Sequence, residues 1–190
     1  MTNQHNNFAS SFILCACLLV GAGPAAAQAG LLTPSAVFVQ GGVAETASAL
    51  VVGANWDWDW QRPTGWGTWS GYWEASFGRW STERIDGSTS HDWVTQLGIT
   101  PVLRLSPAGG GGWFVEGGIG VNLLLPIFRA KDKRFSTVFN FGDHLAVGRR
   151  FGERGEHEVA LRVQHFSNGG IKKPNPGEDF LQLRYTRRWL

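Results

Sequence analysis

Apolar and polar residues alternate along most of the chain after residue 35. Such alternation is typical of β-strands, because neighbouring side chains on a strand point to opposite faces. Turn-forming residues divide the pattern into eight predicted strands at 35–40, 47–58, 66–80, 93–105, 113–125, 138–151, 157–167 and 180–190. Eight is the smallest common number of strands for a closed antiparallel barrel that crosses a membrane, where each strand needs about ten residues.

The strands have one apolar face and one polar face. On the fifth strand, Val115 and Val121 lie on one face and Glu116 lies on the other. On the eighth, Leu183 and Arg184 fall on opposite faces. In a membrane barrel the apolar face meets lipid and the polar face lines the lumen. We therefore predict an all-β outer-membrane barrel rather than a soluble β-sandwich. Four polar-face residues are expected to form salt bridges that fill the lumen: Arg104, Glu116, Arg150 and Arg162.

Aromatic residues support the membrane prediction. The 190 residues include ten Trp, 12 Phe and 26 Gly. Nine Trp cluster near predicted strand ends, where indole suits the boundary between membrane and water; they are Trp56, Trp58, Trp60, Trp66, Trp69, Trp80, Trp93, Trp113 and Trp189. The net charge of +2 comes without a basic stripe, so nucleic acid is not expected as a partner.

The first residues have the pattern of an export signal. An apolar stretch at 12–20 is too short to cross a bilayer, and small residues follow it up to Ala27. We predict a cleaved signal peptide at 1–27 and the barrel at 28–190. Cys15 and Cys17, the two cysteines, both lie in that signal. The mature chain is therefore expected to have no disulfide and no thiol nucleophile.

Candidate chemistry is concentrated at the end of the seventh predicted strand. His165 and Ser167 share the face of Val163, about 7 Å apart along the strand. A loop rich in Gly, Pro and Asn follows, and then Glu178 and Asp179. A serine, a histidine base and an acid beside an apolar surface predict an esterase that acts on lipid.

The identity of the acid stays open between two neighbours. Asp179 falls in register with Leu181 on the lipid face, whereas Glu178 falls on the lumen face. Register weakens at the end of a loop, so both are candidates. Donors for the oxyanion are expected from the backbone at Asn168 and Gly170 or from the side chain of Asn175.

These residues resemble the outer-membrane lipid A 3-O-deacylases, the PagL family. That family has an eight-stranded barrel with a His-x-Ser-Asn motif on a lipid-facing strand and a glutamate after the next loop. Here the motif is His165-Phe-Ser167-Asn168, and looser similarity extends to 55–59, 71–74 and 116–121. The chain departs from the family at the acid, because Asp179 occupies the position of the glutamate when residues are counted without gaps.

The resemblance implies a hydrolase that removes the ester-linked 3-O acyl chain of lipid A at the bacterial outer membrane. Ser167 would attack the ester, His165 would accept its proton, and no metal or cofactor would be needed. Both termini of such barrels lie in the periplasm, which places the site toward the outer leaflet. Lys172 and Lys173 are then candidates for contact with the lipid A phosphates.

Two other functions are compatible with the pattern. One is a small outer-membrane barrel without catalysis, and the other is a lipid A acyltransferase on the same architecture. Lipopolysaccharide and membrane lipid are the expected partners. The oligomeric state stays open, a homodimer included.

Overall fold

The computed structural model describes residues 33–83, 91–130 and 133–189. The predicted signal peptide lies outside these ranges. Within them no helix combines the length and the apolar character needed to cross a bilayer. The eight strands are β1 (Ala36–Val43), β2 (Ala47–Thr64), β3 (Gly67–Glu83), β4 (His91–Pro107), β5 (Trp113–Leu125), β6 (Phe139–Phe151), β7 (His157–Ser167) and β8 (Glu178–Arg188).

The strands form a closed barrel in chain order. Each strand pairs antiparallel with the next, and β1 closes the barrel by pairing with β8, Ala36 opposite Arg188. Closure leaves no unpaired strand edge, which a lipid environment requires because it offers no water to the backbone. The connections after β1, β3, β5 and β7 define the long-loop end. Those after β2, β4 and β6, together with the strand ends at Ala36 and Arg188, define the short-turn end.

The barrel is polar inside and apolar outside. Leu161, Leu183 and Val121 are exposed on the outer wall, while their strand neighbours face the lumen. Within the lumen the Arg104 guanidinium lies 2.8 Å from Glu158 and 2.7 Å from Glu116. Arg162 and Arg184 pair with Glu74, and Arg150 pairs with Glu158. The predicted ion pairs are thereby confirmed. The residues that the prediction did not include are Glu74, Glu158 and Arg184. Such pairing makes buried charges tolerable.

An aromatic cluster closes the lumen toward the long-loop end. Phe128 and Phe135 come from the connection between β5 and β6, which folds into the barrel and packs on Trp80. Phe166 and Phe180 pack on the same indole, with ring centroids 4.8 and 4.7 Å away. Trp80 was predicted to lie at the membrane boundary, and this was wrong. It is fully buried and donates from Nε1 to Gln96 Oε1 at 2.9 Å.

The hairpin of β2 and β3 is longer than the sequence predicted. The second predicted strand ended at residue 58, but β2 continues beyond it, and Pro63 is paired with Thr68 inside the hairpin. The register shifts between Asp57 and Gln61, which lets the strands continue to Thr64. A shift of this kind is a local irregularity that alternation in sequence does not reveal.

Candidate active site

β7 and β8 bring the histidine and the candidate acid to the same place on the outer wall. His165 is paired with Asp179, and Phe166 is paired with Glu178. Phe166 and Glu178 are both fully buried toward the lumen. Alternation therefore turns His165, Ser167 and Asp179 outward, as the sequence predicted for all three.

His165 and Asp179 form a hydrogen bond on this outer surface. The distance from His165 Nδ1 to Asp179 Oδ1 is 2.6 Å. Since an ionised carboxylate can only accept, Nδ1 carries the proton in this pairing, and Nε2 keeps its lone pair when the ring is neutral. The arrangement leaves Nε2 as a base that can take a proton from a neighbouring hydroxyl.

Ser167 lies two positions beyond His165 on the same face of β7. Alternate residues of a strand lie about 7 Å apart, so the two side chains are neighbours on the outer wall. Ser167 Oγ accepts a hydrogen bond from the Gly169 N–H at 3.4 Å. In an attack on an ester the negative charge develops on the carbonyl oxygen of the substrate, so this contact holds the loop beside the hydroxyl and is not itself an oxyanion contact.

The other oxyanion candidates are engaged within the loop that follows. The N–H of Asn168 donates to Asn175 Oδ1 at 2.9 Å, and the N–H of Gly170 donates to Asn168 Oδ1 at 3.0 Å. These contacts hold the loop in a fixed shape next to Ser167. The oxyanion role of Asn168, Gly170 and Asn175 stays a prediction.

Asn168 also links the two long connections at the long-loop end. Its buried Nδ2 donates to Ser136 Oγ at 3.0 Å and to the Lys172 carbonyl at 2.7 Å. Ser136 Oγ donates to the same carbonyl at 2.7 Å. Lys172 and Lys173 are exposed on this loop, as predicted. The motif asparagine therefore holds the loop that carries both lysines.

Gly177 is a site residue that sequence reasoning missed. It has φ of +75°, a conformation that favours glycine. A Cβ built on it would lie 2.6 Å from His165 Cε1. Its backbone thus packs against the imidazole and limits where the ring can lie. The Pro-Gly pair before β8 signals a turn, but nothing in the sequence shows that this turn touches His165.

Glu178 lies on the other side of the barrel wall from the imidazole. Its side chain is 0% exposed, and Oε1 accepts from the backbone N–H and the hydroxyl of Thr46, both at 3.3 Å. Lys133 Nζ lies 3.0 Å from Glu178 and 2.8 Å from Glu45. Burial disfavours the ammonium, but these hydrogen bonds outweigh it and raise the pKa of Lys133. Glu178 therefore anchors the start of β8 in the barrel mouth.

A second acid faces outward beside the histidine. Asp143 on β6 is paired with His165 from the side opposite Asp179. Sequence reasoning missed it because the pairing of β6 with β7 depends on a turn whose register the chain does not show. Even with this row of residues, no group of three or more His, Cys, Asp or Glu in the described residues is arranged to hold a metal ion.

The wall around the site is apolar. Val163, Leu181 and Leu183 are half or more exposed on the strands that carry His165 and Asp179. Phe141 lies opposite Ser167 across β6 and β7. An exposed apolar surface of this kind suits hydrocarbon chains and would be costly in water.

Comparisons with known proteins identify the family of this chain. The sequence profile of the family described as lipid A 3-O-deacylase (PagL) matches residues 48–188. A lipid A deacylase PagL of Bordetella bronchiseptica is 42% identical over 101 residues, which are 53% of this chain and 54% of that protein. The chain thus aligns with about half the length of that relative.

Two longer alignments extend the similarity. A lipid A deacylase PagL of Pseudomonas aeruginosa is 32% identical over 149 residues, 76% of this chain and 80% of that protein. A crystal structure of the outer membrane enzyme PagL superposes with a TM-score of 0.70 at 29% identity, covering 81% of this chain and 99% of the other. The chain belongs to the lipid A 3-O-deacylase (PagL) family.

Proposed function

We propose that this protein removes the ester-linked 3-O acyl chain of lipid A, with Ser167 as nucleophile, His165 as base and Asp179 as the acid that orients it. Family membership supports the activity and the outer-membrane location. The observation that carries the residue assignment is the 2.6 Å hydrogen bond from His165 to Asp179, on the same outer face as Ser167.

The proposed reaction proceeds in two steps. His165 Nε2 takes the hydroxyl proton as Ser167 Oγ attacks the carbonyl carbon of the acyl ester. The bond to the sugar oxygen breaks, and that oxygen leaves as a hydroxyl with the proton from His165. Water then attacks the acyl-serine, again with His165 as base, and releases a fatty acid. Asp179 keeps the ring oriented and stabilises its charged form in both steps.

Asp179 is the better candidate for the acid, although it is one methylene shorter than glutamate. The register of β7 and β8 brings it directly opposite His165, so the shorter side chain still reaches Nδ1. Glu178 is turned into the lumen and held by Thr46 and Lys133. We therefore assign Glu178 a structural role in holding β8.

The proposed site faces the outer leaflet. The connections 126–138 and 168–177 at the long-loop end exceed those at the short-turn end, and outer-membrane barrels keep short turns in the periplasm. His165 and Ser167 then lie at the depth where lipid A carries its acyl chains. Exposed Lys172 and Lys173 are proposed to meet the lipid A phosphates from the loop above.

The test is incubation of the purified, folded protein with lipopolysaccharide, followed by mass spectrometry of lipid A. We expect loss of one 3-O acyl chain with wild type. Ser167→Ala should lower the rate by roughly a thousandfold or more, since no other hydroxyl replaces the nucleophile. A gain in acyl mass would support an acyltransferase instead. Unchanged lipid A from a folded barrel would support a protein without catalysis.

Lipid A is the proposed partner of the single chain. A homodimer is a separate proposal, which cross-linking in lipid bilayers tests directly. The Lys172→Ala/Lys173→Ala double variant tests the phosphate contact, and full activity on phosphorylated lipid A would remove that assignment.

A further inference from the structure

A second polar cluster lies on the outer wall at the short-turn end. It consists of His157 on β7 with Tyr185 and Arg187 on β8. On β8 the outward row continues from Asp179 through Leu181 and Leu183 to Tyr185, so Tyr185 is about 20 Å from Asp179 along the strand. The two polar groups therefore sit at opposite boundaries of one apolar band.

The hydrogen bonds of this cluster leave one donor unused. Arg187 Nη1 lies 3.1 Å from His157 Nε2, and His157 Nδ1 lies 2.7 Å from Tyr185 Oη. Because a guanidinium only donates, Nε2 accepts, and Nδ1 must carry the proton that is donated to the phenol oxygen. The phenol hydrogen of Tyr185 has no acceptor among the described residues. It is free to donate outward.

The charges near this donor favour an anion. Arg149 on β6 also faces outward, two strands from Tyr185, and its Nε donates to the Gly111 carbonyl at 3.2 Å. Glu156 lies 3.6 Å from Arg187, and hydrogen bonds from the backbone at Glu156 and Arg154 lower its pKa and keep it ionised. Two guanidinium groups against one carboxylate leave a net positive charge at this boundary of the apolar band.

Aromatic rings frame the cluster at the level of a membrane boundary. Phe151 stacks on His157 with ring centroids 5.3 Å apart and an interplanar angle of 19°. The Arg149 guanidinium lies 5.9 Å from the centre of the Trp113 ring, and Trp113 and Trp189 are both exposed. Indoles and arginines at this depth are typical of the zone of lipid headgroups.

We propose that this cluster binds the phosphodiester headgroup of a glycerophospholipid in the periplasmic leaflet. Tyr185 donates its phenol hydrogen to a phosphate oxygen, and Arg187 supplies the opposite charge beside it. Arg149 adds a positive charge to the same boundary from two strands away. Arg187 acts through His157 as well, because its hydrogen bond fixes the tautomer that turns the phenol donor outward. The acyl chains lie on the apolar band between this cluster and the proposed active site.

The proposal is tested by native mass spectrometry of the folded protein in detergent. Phosphatidylglycerol, dioleoylglycerol and inorganic phosphate are added separately as probes. We expect retention of phosphatidylglycerol alone, and about tenfold weaker binding for Tyr185→Phe or Arg187→Gln, as for loss of one hydrogen bond to a charged group. Arg79→Gln is the matched control. Arg79 lies near the long-loop end, 5.5 Å from the Trp93 ring centre, and this variant should bind like wild type.

Three results would overturn the proposal. One is equal retention of dioleoylglycerol, which would show apolar partition alone. Another is unchanged binding in both Tyr185→Phe and Arg187→Gln, and a third is equal weakening in Arg79→Gln. The electrophoretic mobility of the unheated protein shows whether each variant forms the closed barrel. If a variant does not fold, Arg149→Gln is measured in its place. Deacylase activity of Tyr185→Phe should remain at the wild-type level, which separates this test from that of the proposed function.

Discussion

The proposed role of His165 depends on two neighbours, Asp179 and Gly177. Asp179 accepts from Nδ1, and Gly177 lies so close to the ring that a Cβ there would be 2.6 Å from Cε1. Together they leave Nε2 as the nitrogen that can serve Ser167.

Replacing the Asp179 carboxylate should change which nitrogen of the His165 ring carries the proton. Asp179→Asn presents an amide that can donate to Nδ1. The proton of the ring then resides on Nε2, and a protonated Nε2 cannot accept the proton of Ser167. We expect the deacylation rate to fall on the order of 10³-fold to 10⁴-fold, measured as release of the 3-O acyl chain. Asp59→Asn, an exposed change on the β2 and β3 hairpin, is the control. Near-normal activity of Asp179→Asn would contradict the assignment.

Adding a single methyl group should displace the imidazole. In Gly177→Ala the new Cβ would lie 2.6 Å from His165 Cε1. The backbone at this position also has φ of +75°, a conformation that is unfavourable for alanine. We expect a fall in kcat of about tenfold to a hundredfold with an intact barrel. Gly170→Ala is the control, since it has positive φ and no atom within 4 Å of a Cβ. Equal loss in both variants would point to loop strain alone.

At the scale of elements, the start of β8 is held by a contact inside the barrel mouth. Glu178 bonds Thr46 and Lys133 on the lumen side, while its neighbour Asp179 works on the lipid side. One strand end thereby couples the connection between β5 and β6 to the proposed site.

Loss of that contact should weaken the barrel and the site together. Glu178→Gln leaves Lys133 without its buried partner, and we expect a loss of about 1–3 kcal/mol in the free energy of unfolding, measured by denaturant titration in detergent. Glu45→Gln removes the exposed partner of the same lysine and should cost less than about 1 kcal/mol. If the two variants lose the same stability, Glu178 does not anchor β8.

The strands of the wall could be predicted because the membrane imposes alternation on every residue. The predicted parity of His165 and Asp179 was correct for this reason. The interior of the barrel mouth could not be predicted in this way. Trp80 was placed in the girdle from its closeness to a strand end, yet Phe128 and Phe135 return from a loop to enclose it. Such contacts depend on the path of a connection and not on a period of two.

At the scale of the whole molecule, the barrel separates two kinds of stabilisation. Arginine and glutamate pairs, including Arg162 with Glu74 at 3.0 Å, fill the lumen and hold the strands from inside. The outer wall is thereby free to be apolar over most of its height, with polar groups at its two boundaries. We infer that this separation lets a hydrolase act on a substrate that never leaves the membrane.

Ser167 is proposed to attack the acyl ester from the outer wall of the barrel. Peptide mapping of the protein after brief reaction with lipopolysaccharide and acid quenching tests this attack. We expect a hydroxyacyl mass attached to Ser167 in wild type and none in Ser167→Ala. Deacylation of lipid A by the folded Ser167→Ala variant at the wild-type rate, or an acyl group on a different residue, would contradict it.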